Sequence, residues 1–253
     1  MNATISKKNG QLMEQENALI GYLLAGYPGR AEFLQLLDAV GQTALDAIEI
    51  GYPSKNPYGD GDTIQAAHRA VDHSLVEDMG YWQQIRNTVA KPIWLMAYKD
   101  DFITNGIYRK FARAKLMDAI VIPDCSHEEH VQLGQQLLDY QVDVVRFIRP
   151  TMSPEEIKRI SADAPLLYGQ LYSGPTGSGD QKQQNYQTML EAVIENPKGR
   201  IYAGFGIDSR EKVQELLSQG FHGTILGTAL IKKLNDSPEE LIKYLNQIKG
   251  AGR

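Results

Sequence analysis

The chain has 253 residues, with 26 Lys plus Arg against 31 Asp plus Glu, a net charge of −5. At 42% hydrophobic and 23% charged residues it has the make-up of an ordinary globule, which excludes a disordered or collagen-like chain. The acidic balance leaves no electrostatic footprint for nucleic acid or anionic lipid, and a single cysteine, Cys125, excludes an internal disulfide and a cysteine metal cage.

Residues 1–17 form a polar extension carrying Lys7, Lys8, Glu14 and Glu16, without the apolar stretch of a signal peptide. No run approaches the ~18 apolar residues needed to cross a membrane. A cytoplasmic protein is expected.

A first buried strand is expected over 18–25, followed by a helix over 31–40 with Phe33, Leu36, Leu37 and Val40 on one face. Further strands are expected over 44–50, 92–98, 118–123, 142–148, 165–171, 200–203 and 222–227. The clearest is Asp118-Ala-Ile-Val-Ile122, whose near-continuous apolar run suits a parallel sheet covered on both faces. Ser126 and Ser153 are expected to cap helices, with Pro154 at the first helical position and Glu156 completing a capping box. A further amphipathic helix over 209–218 carries Val213, Leu216 and Leu217, and Gly220 ends it.

Eight strands alternating with helices in about 230 residues predict an α/β fold, a (β/α)8 barrel forming one domain over 1–253. The rival, an open doubly wound sheet, usually shows a glycine-rich turn after its first strand. Here that turn reads Ala25-Gly26-Tyr27-Pro28-Gly29-Arg30.

In a barrel the chemistry sits where strands end and βα loops begin. Glu49 lies in Ala47-Ile48-Glu49-Ile50-Gly51, at the end of the second strand. It either pairs with a base on the helix layer or faces inward as a general acid/base with a raised pKa. The second loop, 51–63, is long and holds Asp60 and Asp62. A calcium loop starting at Asp60 would need Glu where Val71 stands, and the polar stretch before Asp60 is no phosphatase strand. Asp62 better suits a cap on a helix starting near Thr63.

Three glycine-bearing segments follow strands six to eight: Gly174-Pro-Thr-Gly-Ser-Gly179, Gly204-Phe-Gly206 and Gly227-Thr228, the last opening a short helix over 229–233. Their backbone N–H groups suit a phosphate, at the usual anion site of a barrel. Tyr22 and Phe205 face the mouth, for packing or for a ligand. His127 with His130, and His68 with His73, read as solvated surface pairs rather than metal ligands. No metal site is expected.

Together these segments resemble the tryptophan synthase alpha subunit family. The resemblance runs from about Ile20 to Lys233. It rests on Glu49-Ile-Gly with Pro53, Asp60-Gly61 with Thr63-Ile-Gln65, Asn105-Gly-Ile107, Thr176-Gly177, Gly204-Phe-Gly-Ile207 and Gly227-Thr-Ala229. It implies a lyase of tryptophan biosynthesis that cleaves indole-3-glycerol phosphate to indole and glyceraldehyde 3-phosphate by a retro-aldol step. It also implies a short extra helix after strand eight.

By the same resemblance Glu49 is the acid/base, Asp60 holds the indole N–H, and Tyr168 stands beside the glycerol chain. Gly177, Gly206, Gly227 and Thr228 cradle the phosphate. Tyr22, Met96 and Phe205 line the indole pocket, and Thr176 closes onto the second loop. No cofactor is implied for this chain, pyridoxal phosphate belonging to a beta-subunit partner. The family's Pro after Asp-Gly is Asp62 here, and Tyr172 replaces an arginine of the sixth loop. Asn56 and Asp100 replace partner-facing residues, which implies an altered or weakened alpha–beta contact. The alternatives are a stand-alone lyase and a non-catalytic, regulatory alpha-like subunit. A Schiff-base aldolase would need a late-strand lysine; Lys99, the nearest, lies just past strand three, which disfavours that reading.

Overall fold

The computed structural model describes residues 4–172, 187–194 and 199–249. Eight parallel strands close into a barrel in the order of the sequence. They are β1 (Ala18–Leu24), β2 (Ala47–Gly51), β3 (Ile93–Met96), β4 (Ala119–Val121), β5 (Asp143–Ile148), β6 (Leu166–Gln170), β7 (Arg200–Gly204) and β8 (Gly223–Leu226). Each expected strand is present. β2 begins three residues later than expected, because residues 44–46 belong to the turn leading into it.

Side chains alternate across each strand. Ala18, Ile20, Ala47, Trp94, Val121, Val145, Phe147, Leu166, Tyr168, Tyr202 and Ile225 pack together inside the barrel. Their neighbours Leu19, Ile48, Ile50, Ile93, Leu95, Ile120, Leu167 and Ile201 pack in the larger cluster with the surrounding helices, including Phe33, Leu36, Leu37 and Val40 of helix α2 (Arg30–Gly41). With Ile48 and Ile50 in the helix layer, Glu49 is turned into the barrel. The helix-layer pairing considered for Glu49 is thereby excluded.

Helix α1 (Lys7–Met13) closes the bottom of the barrel. The buried Asp143 carboxylate accepts from Ile5 N–H at 2.8 Å and from Asn9 Nδ2 at 2.9 Å, while Asn9 Oδ1 accepts from Trp94 Nε1 at 2.9 Å. These bonds satisfy polar groups that burial would otherwise penalise.

Ser126 and Ser153 both cap their helices as expected, the Ser153 hydroxyl accepting from Glu156 N–H, but the capping box expected at Ser153 is only half formed, and the full box, with bonds exchanged in both directions, is made by Ser126 and Glu129. Gly220 has φ +110, the left-handed conformation expected after a helix end. Helix α3 (Asp62–Ala70) begins one residue earlier than expected: Gly61 is its N-cap, and Asp62 occupies the first turn instead of capping it. The short helix expected after strand eight extends over Thr228–Asp236, followed by a terminal helix Pro238–Lys249. Among the described residues, no helix is long and apolar enough to cross a membrane.

Candidate active site

The C-terminal ends of the strands surround a cavity of about 370 Å³, within the range of small-ligand sites. Tyr22, Glu49, Asp60, Met96, Tyr168, Phe205 and Gly227 all line it. A larger space of about 800 Å³ adjoins it, lined by Gly206, Gly227, Thr228 and Lys232 and sharing Tyr168, Phe205 and Gly227 with the first. The sequence-stated candidates therefore converge, except Thr176 and Gly177, which lie outside the described residues.

Glu49 is 4% exposed and pairs in register with Tyr22 across β1 and β2. Burial, and then the charge of Asp60, push its carboxyl up from 4.5 to about 8. At neutral pH it therefore carries its proton. Glu49 Oε2 and the Tyr22 hydroxyl are buried without a hydrogen-bond partner. Orphaned buried polar atoms are rare in folded proteins, and two of them on one cavity wall mark a place where a ligand supplies the missing partner.

Asp60 lies at the end of the second loop and is 4% exposed. Its Oδ2 accepts from the Tyr98 hydroxyl at 2.8 Å, and the Tyr98 oxygen in turn accepts from Gly59 N–H at 3.1 Å. Gln65 Nε2 donates to the Asp60 carbonyl at 2.7 Å. The loop is also fastened from above. The exposed Tyr58 packs on Tyr98 at 4.8 Å between ring centroids, and its hydroxyl donates to Asp124 Oδ2 at 2.7 Å.

Tyr168 stacks on Phe147 at 4.7 Å and meets Phe205 edge-on at 6.0 Å. The ring is accommodated because position 204 has no side chain: a Cβ there would lie 2.2 Å from Tyr168 Cε1. Gly51 leaves the same room for Tyr22, whose hydroxyl would lie 2.4 Å from a Cβ. Gly204→Ala is therefore expected to displace Tyr168 and to destabilise the barrel by about 1–3 kcal/mol, measurable by urea unfolding.

Phe205 has φ +75, a left-handed conformation uncommon for a bulky residue, and strain of this kind clusters at ligand sites. Gly227 is the N-cap of the helix Thr228–Asp236 and offers no side-chain cap. The first-turn N–H groups and the positive end of the helix dipole therefore face the larger space.

Two sequence expectations are corrected here. His68 and His130 are buried, at 1% and 3% exposure, not solvated. His68 Nδ1 accepts from Ser54 N–H at 3.0 Å, His130 Nε2 bonds the Ile122 carbonyl at 2.9 Å, and burial lowers both to about 4. Lys99 pairs with Glu129 and is not among the cavity-lining side chains. Sequence reasoning missed Phe147, Arg149 and Gln170 on the wall. The two-residue step from Val145 to Phe147 and Arg149, and from Tyr168 to Gln170, would have found them. Asn56 is exposed, and so is Asp100, whose carboxylate accepts from Thr104 at 3.2 Å.

A family model described as tryptophan synthase alpha chain matches residues 9–251. The chain belongs to the tryptophan synthase alpha chain family. It is 31% identical to the tryptophan synthase alpha chain of Chloroflexus aurantiacus over 230 residues, covering 88% of this chain and 86% of that one. To the tryptophan synthase alpha chain of Methanopyrus kandleri it is 29% identical over 233 residues, 89% and 84% of the two chains. A chain from the structure of the Pyrococcus furiosus tryptophan synthase α2β2 complex superposes with a TM-score of 0.79 at 26% identity, covering 93% of this chain and 99% of that one.

Proposed function

We propose that this chain is a lyase that cleaves indole-3-glycerol phosphate to indole and glyceraldehyde 3-phosphate in tryptophan biosynthesis. The observation that carries the reading is Glu49. It is a buried carboxyl that keeps its proton to about pH 8, in the same cavity as Asp60 and beside a glycine-lined helix start.

The protonated Glu49 donates to indole C3, which makes the ring system electron-poor. Asp60 accepts a hydrogen bond from the indole N–H and balances the positive charge developing there. The Glu49 carboxylate so formed takes the proton from the adjacent glyceryl hydroxyl. As that oxygen becomes the aldehyde carbonyl, the bond from the side chain to C3 breaks, and its electron pair restores the aromatic indole. Glu49 ends the cycle protonated, as it began. Because side chains supply both proton transfer and charge balance, the step calls for no metal or organic cofactor.

Tyr168 packs beside the glycerol chain, and Tyr22, Met96 and Phe205 enclose the ring. Gly206, Gly227 and Thr228 hold the phosphate with backbone N–H groups, joined by Gly177 of the sixth loop, while Thr176 closes onto the second loop. Sulfate soaked into a crystal is expected beside Gly227 and Thr228; an ion bound only elsewhere would sink that assignment. Lys99, committed to Glu129, disfavours a Schiff-base aldolase. The reading is tested by assaying indole and glyceraldehyde 3-phosphate together, which should appear in equal amounts from indole-3-glycerol phosphate.

The natural partner is a tryptophan synthase beta subunit carrying the pyridoxal phosphate. Partner binding favours closed loops by population shift. Here the Tyr58–Asp124 bond and the Tyr58–Tyr98 contact already fasten the second loop. The isolated chain is therefore expected to turn over with only modest activation by a generic beta subunit. Tyr58→Phe should lower the isolated rate several-fold and increase activation by the partner. Strong activation of the unaltered chain, with Tyr58→Phe at the unaltered rate, would contradict a self-held loop.

A further inference from the structure

His68 sits behind the cavity wall, on α3, and takes no part in the reaction just described. It is 1% exposed, and its two ring nitrogens have different surroundings. Nδ1 accepts from Ser54 N–H at 3.0 Å, which fixes the ring proton on Nε2. Nε2 makes no hydrogen bond, yet lies 3.9 Å from Asp60 Oδ2. That oxygen is the one that accepts from Tyr98 at 2.8 Å.

A buried N–H without an acceptor is costly. Here the nearest acidic oxygen stands about an ångström beyond hydrogen-bond distance. Such contacts at active sites are often long without substrate and tighten in its complex. The ionisable neighbours are Asp60 on the loop, His73 beyond the helix end, whose Nε2 bonds the His68 carbonyl at 2.9 Å, and Tyr98 on the far side of Asp60. Burial and His73 hold His68 at about 4, so across neutral pH it remains a neutral donor.

We propose that His68 is the positioning residue for Asp60, its Nε2–H closing on the carboxylate as substrate binds while its Nδ1 ties the second loop to α3 through Ser54. A single imidazole thus fixes both the carboxylate and the loop that carries it. This inference rests on the function proposed above, in which Asp60 holds the indole N–H.

The two tasks separate by substitution. In His68→Asn the amide oxygen replaces Nδ1 and keeps the Ser54 bond, but nothing reaches Asp60. In His68→Gln the longer amide reaches toward Asp60 but loses the Ser54 acceptor. His68→Asn should lower kcat roughly ten-fold with KM within about two-fold, as a misplaced catalytic group does. His68→Gln should keep kcat within about three-fold while Ser54 N–H exchanges faster with solvent. Wild-type kcat in both variants, or equal losses in both that track their thermal stability, would overturn the proposal.

Imidazole nitrogen NMR of the unaltered chain gives a second reading that needs neither folded variants at position 68 nor turnover. His68 should show its proton on Nε2 between pH 6 and 8, and this resonance should move in Asp60→Asn. A proton on Nδ1, or an unmoved Nε2 signal, refutes the contact. If the unaltered chain fails to cleave indole-3-glycerol phosphate while the NMR result holds, the function assigned to the chain falls and the His68–Asp60 contact stands.

Discussion

Glu49→Gln should abolish nearly all cleavage of indole-3-glycerol phosphate while leaving the barrel folded. The amide fills the same space among Tyr22, Met96 and Tyr168 but can neither give nor take the proton. Loss of a general acid/base costs roughly 10²–10⁴ in rate, and here one group serves both directions of transfer. Retention of more than a tenth of the unaltered rate would reject Glu49 as the proton carrier. Stability provides the control. Because the folded-state pKa of Glu49, about 8, lies above the ordinary 4.5, the folded chain holds a proton that the unfolded chain releases. That contribution is fully present below about pH 4.5 and is lost as pH rises through about 8. Gln has no such dependence. The variant should therefore gain on the unaltered chain between pH 6 and 9 in urea unfolding, and a variant that merely misfolds would not.

Asp60→Asn has the second-largest expected effect, through two routes. It removes the negative charge that balances the indole nitrogen, and the loss of one such preorganised group typically costs ~10²–10³ in rate. It also removes the second cause of the raised Glu49 pKa. The residual rate should therefore decline at a lower pH than in the unaltered chain, as Glu49 loses its proton earlier. The amide oxygen can still accept from Tyr98, so the loop stays held. Turnover measured from pH 5 to 9 checks both effects. A rate loss under three-fold would show that Asp60 carries no charge-balancing role.

The strands were legible because an apolar run is a local property, but which way Glu49 faces was left open and is settled by its neighbours. Ile48 and Ile50 belong to the helix layer, so Glu49 must face inward, and the same two-residue step runs through Tyr168 and Gln170. The sites of Tyr22, Phe205 and Gly227 were legible too, as positions at strand ends, and that of Met96 through the family resemblance. The surroundings of Asp60 were not. Tyr98 bonds it from 38 residues away, and Tyr58 reaches Asp124 across 66. No period or spacing encodes such pairs. His68 and His130 were misread as surface residues because their helices are otherwise polar. Each is buried against a backbone group outside its own helix, which only tertiary packing reveals. Asp62 was misread as a cap because Gly61, lacking a side chain, took that position instead.

The central claim is that a buried, protonated Glu49 begins the reaction. The pH dependence of kcat/KM for indole-3-glycerol phosphate tests it most directly, because that ratio reports ionisations of the free enzyme. The account predicts that kcat/KM is sustained through neutral pH and falls as pH rises through about 8, where Glu49 gives up its proton. A kcat/KM that instead climbs through pH 8 would mean that the initiating group must be ionised, and would contradict the account.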